Sequence, residues 1–284
     1  MKKRIIVILA MLVLLGISLR SDEKELLILV TNDDGIESPS LIALAEEMKT
    51  LGTVVVVAPK TNQSGTGHTI RYDRPTFFGE KELIPGVKSY WVDNTPVACV
   101  RWAIAGPLEG AIPDLVVSGI NRGLNLGPGY ESGTVGAARE GALAGAVAVA
   151  ASQLVSGKDT DYEGAAAVVR ELAEKALSLG DKPLLWNVNI PGGKIDSSKK
   201  IVVARMIRRW WKMKYVVNKD IDNKPYFWID REPNIRKVEP ESDFACIIRG
   251  YITVTPHIVY QTDFSALEKA KALFEENEAA KDKM

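Results

Sequence analysis

Apolar and polar positions fall into blocks along the chain, and the period of the blocks changes from one to the next. Leu27-Ile28-Leu29-Val30 is an unbroken apolar run that ends abruptly at Thr31-Asn32-Asp33-Asp34-Gly35. A run this short, bounded by turn residues, predicts a strand buried on both faces. Ser38-Pro39-Ser40 ahead of Leu41, Ile42, Leu44, Ala45 and Met48 predicts a helix with one apolar face, stopped at Leu51-Gly52. Val54 to Ala58, closed by Pro59, is the next buried strand. Strand, helix, strand in this order predicts a parallel, right-handed unit and an α/β fold with a mostly parallel sheet.

The alternation continues. Arg71 to Val92 mixes charge and aromatics around Pro85-Gly86, which suggests short antiparallel strands beside the main sheet, and Asn94-Thr95-Pro96 opens a helix that packs through Val97, Val100, Trp102 and Ile104. Leu115-Val116-Val117 predicts a strand ending at Ser118-Gly119-Ile120-Asn121. Val135 to Ala150 reads as a helix of small residues, Tyr162 to Leu179 as an amphipathic helix, and Pro183 to Ile190 as a strand. From Lys200 to Pro240 the pattern becomes uneven, with Trp210, Trp211, Tyr215, Tyr226, Phe227 and Trp228 among Lys and Arg. Such a stretch fits either a nucleic-acid surface or a protruding β-arm that packs on another subunit. Gly250 to His257 returns to a β pattern, and residues 264–284 form a charged closing helix.

Composition sharpens this choice. Lys plus Arg and Asp plus Glu both number 36 in 284 residues, so no global field draws the chain to nucleic acid, and the arm at residues 200–240 is the favoured reading. No stable nucleic-acid partner is expected. Met1-Lys2-Lys3-Arg4 followed by apolar Ile5 to Ile17 is too short to span a bilayer and reads as a signal peptide over residues 1–18. That implies a periplasmic or exported protein. The competing readings are an uncleaved membrane anchor or a cytoplasmic chain. Cys99 and Cys246 lack any metal-ligand spacing; one disulfide between them is an open alternative in an oxidising compartment, and buried free thiols are the favoured reading.

The candidate chemistry gathers after strand ends, where open α/β sheets bind ligands. Asp33 and Asp34 repel one another, so burying both calls for an offset; a hard divalent cation is the simplest, and a turn that caps the next helix is the bland alternative. Thr61 to His68 is a polar loop whose Gly65 and Gly67 let backbone N–H groups approach an anion. His68 is as readily a loop residue bonded to backbone as a catalytic one. Ser132-Gly133-Thr134 at a helix start is either an anion site or an ordinary cap.

Taken together, Thr31 to Gly35, Ser64 to His68, Ser118 to Gly127, Ser132 to Val135, Asn187 to Pro191 and Gly250 to Pro256 resemble the SurE family of stationary-phase survival proteins over about residues 26 to 270. The resemblance implies a Rossmann-like three-layer sandwich over residues 25–270, a homodimer or homotetramer with exchanged C-terminal elements, and metal-dependent hydrolysis of nucleoside 5'- or 3'-monophosphates. It implies Mg²⁺ or Mn²⁺ held by Asp33, Asp34, Ser64 and Asn121. Asn32, Gly65, Asn125, Ser132, Gly133 and Thr134 would surround the phosphate, and Asp33 and Asp34 would be catalytic, Asp33 either serving the attacking water or attacking phosphorus itself. Lys60, Asn94, Ala98, His257 and the Gly127 to Glu131 turn depart from the family pattern. The rival readings are a broad acid phosphatase or exopolyphosphatase and a non-catalytic nucleotide-binding module.

Overall fold

A computed structural model describes residues 25–155, 157, 160–196, 198–208, 211–233 and 238–281. The signal-peptide reading, Trp210 and the last three residues of the closing helix lie outside the described residues.

The apolar runs form the strands that they predict. β1 (Leu26–Thr31), β2 (Gly52–Pro59), β4 (Lys88–Val92), β5 (Leu115–Arg122), β6 (Val147–Gln153) and β7 (Leu184–Ile190) are the main body of a nine-stranded sheet. β3 (Phe78–Glu80), β8 (Ile201–Val203) and β11 (Ile252–His257) complete it, in the order β3-β4-β2-β1-β5-β6-β7-β11-β8. All pairings are parallel except β3 with β4 and β11 with β7. The expected antiparallel pair is therefore β3 and β4, and β4 also joins the sheet as a parallel partner of β2.

Successive side chains of each strand go to opposite faces, which builds two cores. Ile28, Val30, Val54 and Val56 pack under α1 (Pro39–Met48) and α4 (Tyr162–Ser178), with Leu41, Leu44, Met48, Val169 and Leu172. Leu29, Val55 and Val57 pack under α2 (Pro96–Ala105) and α3 (Gly133–Leu143), with Cys99, Val100, Val135 and Ala138. Each large aliphatic side chain buried in this way contributes about 1.5–3 kcal/mol. The result is the expected three-layer sandwich. Cys99 and Cys246 are both buried and unbridged. Among the described residues no helix is long and apolar enough to cross a membrane.

One expectation is overturned. Val135 to Ala150 is not a single helix: α3 ends at Leu143, and Val147–Gln153 is β6, paired on both sides in the middle of the sheet. Gly145 makes the break at φ 106°, a conformation open to glycine. The sequence misleads here because β6 is mostly alanine and serine and lacks the β-branched run that marks the other strands.

The uneven stretch forms a separate two-stranded antiparallel hairpin, β9 (Trp211–Lys219) and β10 (Pro225–Pro233), the arm of the sequence reading. α5 (Asp243–Ile248) leads back into β11, and α6 (Phe264–Lys281) closes the described chain.

Candidate active site

β1 and β5 are neighbours, yet the chain leaves β1 toward β2 on one side and returns through β5 on the other. This is a topological switch point, the place where a crevice opens at the carboxyl ends of the strands. Asp33 and Asp34 follow β1, the Asn62 to His68 loop follows β2, and Asn121 lies at the end of β5. A register shift between Ser118 and Asn121 re-aims that strand end. Gly119 is required there, because at φ 145° a Cβ would stand 2.4 Å from the Ala151 carbonyl oxygen.

Asp33 is held from above by the start of α3. The Thr134 hydroxyl donates to Oδ1 at 2.7 Å and the Thr134 N–H donates to Oδ2 at 3.2 Å. This needs a glycine at the preceding position, since a Cβ on Gly133 would come within 2.8 Å of the Asp33 Cβ. Burial, opposed by the Thr134 hydrogen bond and reinforced by the Asp34 charge, pushes the Asp33 carboxyl up to about 6. Asp34 is also raised by burial, which outweighs the Arg122 N–H donated to its Oδ2 at 3.0 Å. Asn62 Nδ2 reaches Asp34 Oδ1 at 3.4 Å. The Gln63 N–H donates to the Asp33 carbonyl at 2.7 Å and ties the loop after β2 to the end of β1.

Ser64 and Gly65 are exposed at the tip of that loop, and the Ser64 N–H donates to Asn62 Oδ1 at 2.9 Å. Asn121 gives its Nδ2 to the Gly123 carbonyl at 2.7 Å, so its amide oxygen is the end that could serve a ligand. Asp33, Asp34, Ser64 and Asn121 thus offer carboxylate, hydroxyl and amide oxygen only, a donor set that fits a hard divalent cation. Two adjacent carboxylates raised by burial are also short of positive charge. Among the described residues no group of three or more His, Cys, Asp or Glu is placed to hold a metal ion.

The other named residues divide by what they touch. Asn32 is fully buried, and both ends of its amide are bonded to Gly35, where they shape the turn. Ser132 caps α3 by accepting the Val135 N–H at 3.1 Å. Gly133 opens that helix beside Asp33. Asn125 is locked by a network that sequence reasoning missed: its N–H donates to Asn189 Oδ1, its Nδ2 to Ser152 Oγ, and its carbonyl accepts from Asn187 and Asn189. The available signal was polar residues at alternate positions in the otherwise buried strand β7. His68 bonds Glu140 of α3 at 2.8 Å. Burial opposes ionisation of Glu140, but hydrogen bonds from His68 and Arg101 hold its carboxyl below the usual range.

Beside the start of α3 lies a cavity of about 220 Å³ whose lining includes Asn125, Tyr130, Glu131, Ser132, Arg208 and Trp211. It joins the helix N-terminus to the base of the arm.

Comparison with known proteins agrees with this architecture. A family model described as Survival protein SurE matches residues 28–213. The 5'-nucleotidase SurE of Geobacter sulfurreducens is 38% identical over 243 residues, covering 84% of this chain and 90% of the relative. That of Chloroflexus aggregans is 40% identical over 248 residues, covering 86% and 97%. The crystal structure of the SurE protein from Aquifex aeolicus superposes with a TM-score of 0.75 at 35% identity, over 87% of this chain and 99% of that one. With its family model, relatives and fold in agreement, the chain belongs to the SurE family.

Proposed function

We propose that this chain is a metal-dependent phosphomonoesterase that hydrolyses nucleoside 5'- or 3'-monophosphates. The observation that carries the reading is the grip of Thr134 on Asp33 beside Asp34, at the switch point of the sheet. Mg²⁺ or Mn²⁺ would be held by Asp33, Asp34, Ser64 and Asn121. When bound, the cation supplies Lewis-acid polarisation of the phosphoryl oxygens.

The chain's own groups do the rest. The N-terminal end of α3, Ser132-Gly133-Thr134, would direct its dipole at the phosphate, with Gly65 of the loop after β2 and Asn125 of the loop after β5 as further contacts. Asp33 accepts hydrogen bonds on both oxygens, which fixes its orientation and makes it a poor nucleophile but a well-placed acceptor for the proton of an attacking water. The nucleoside occupies the neighbouring cavity, where Trp211 and Tyr130 offer ring faces to a base and Arg208 a positive charge.

The test is phosphate release from AMP, GMP, short polyphosphate and an aryl phosphate, with Mn²⁺ or Mg²⁺ added and then removed by EDTA. Metal-dependent release that favours nucleotides is expected. A flat profile points to a broad phosphatase, and no release from folded protein points to a binding module. Trp211→Ala is expected to raise KM for nucleotides while leaving turnover of the aryl phosphate unchanged.

The arm supports a further part of the proposal, assembly into a homodimer or homotetramer. Val217, Phe227, Trp228 and Ile229 are all more than half exposed, and apolar surface of this kind marks an interface. Export of the protein, with the leader removed, also belongs to the proposal and rests on residues 1–18.

A further inference from the structure

Six residues along α3 from Gly133, or about 9 Å further down its axis at the usual rise, stands Arg139. Its side chain points into a different cavity, of about 500 Å³, bounded by His68, Tyr130, Leu143 and the segment 259–262 that follows β11. Arg139 is only 7% exposed, and its Nε is buried without a hydrogen-bond partner. The contact it makes is with a ring, its guanidinium carbon lying 6.0 Å from the centre of Tyr130. The neighbouring carboxylate, Glu140, is committed to His68 and Arg101.

A second buried nitrogen without a partner lies within reach of its charge. His257, at the end of β11, is 8% exposed, and its Nε2 is likewise buried and unbonded. His257 and Val259 are both buried while the intervening Ile258 is exposed, so the pair faces the α3 layer and Ile258 faces out. The Arg139 charge is felt at His257 and helps to keep the imidazole neutral. Burying a guanidinium without a counter-charge is costly, and the cavity is where one can enter.

We propose that this cavity is an oxyanion site, distinct from the crevice at Asp33, in which Arg139 pairs with a phosphate or a carboxylate. A planar fork of N–H donors suits either ligand, each of which presents two oxygens side by side. Two sources share this chemistry: free inorganic phosphate and an acidic side chain of a second copy of the chain. The inference does not rest on the proposed hydrolysis, although Tyr130 lines both this cavity and the one assigned to the nucleoside.

The experiment is thermal unfolding of the full chain carrying Asp33→Asn, with inorganic phosphate titrated against chloride at matched ionic strength, and repeated over a range of protein concentrations. Adding R139M is expected to weaken the phosphate response on the order of tenfold, as loss of charge-assisted hydrogen bonds does, while R139K keeps part of it. A response to protein concentration, but not to phosphate, that R139M removes would also support the site and identify the second copy as the source. If the folded R139M and R139K proteins match their parent in both titrations, the proposal is overturned. Should R139M not fold, the comparison of R139K with its parent decides, because lysine keeps the charge and loses the fork.

Discussion

At the scale of single residues, the site depends on a contact between positions 101 residues apart. Thr134→Val removes the hydroxyl that orients Asp33 and keeps the volume, so phosphate release is expected to fall about 10–100-fold, the range seen when a partner of a ligating group is lost. The circular dichroism spectrum should be unchanged. Asp33→Asn should abolish turnover altogether in the same assay. His257 sets a pH limit of a different kind. Burial, with the Arg139 charge, lowers its pKa from 6.5 to about 4. At this group the folded state therefore binds fewer protons than the unfolded one between these values, and the contribution of His257 to stability falls as pH drops from 6.5 toward 4, against an opposite contribution from Asp33, whose raised carboxyl takes up a proton in the folded state below about 6. The full loss is about 3 kcal/mol. Urea midpoints of the parent and of His257→Leu, measured at the two ends of that window, should differ in their change with pH by this amount, which separates His257 from Asp33. Asp33 and Asp34 were legible because an apolar run stops at them without transition. Thr134 was legible as a helix start but not as the holder of Asp33, since spacing along the chain carries no record of which loop a helix end will meet.

At the scale of elements, α3 carries the site on one end and a packed face along its side. Its first residue must be glycine for reasons of space rather than of conformation. Gly133→Ala brings a methyl group against both Asp33 and Pro96, the latter within 3.0 Å. Overpacking of this kind costs about 1–3 kcal/mol, and because the displaced group is Asp33, turnover should fall more than the urea midpoint suggests. Most elements could be read from period alone, since valine, isoleucine and leucine fill most of the strand positions that the two cores cover. β6 could not. A strand with helices close on both faces is best filled by alanine, and alanine is also the residue that a helix prefers. The network around Asn125 was hidden for a related reason: Asn187 and Asn189 lie in a strand whose other side chains are apolar, and what they bond arrives from β5's following loop.

At the scale of the whole molecule, the hairpin stands apart from the layers that hold the active site. Deleting residues 212–232 should leave the sandwich folded and yield monomers, as measured by light scattering; an unchanged mass would count against assembly through the arm. The parallel core was legible because β-α-β order allows few topologies. The position of β11 was not, because the chain travels out through the arm and α5 before it returns to lie antiparallel against β7. The way the sheet ends has its own consequence. Both marginal strands, β3 and β8, are three residues long, too short to template a foreign strand, whereas β9 and β10 each present nine residues with an open outer side. Edge-to-edge pairing through the central sheet is thereby disfavoured at both margins, and the hazard of aggregation is concentrated in one hairpin when it is not covered by another subunit, where a proline at an outer N–H would suppress it.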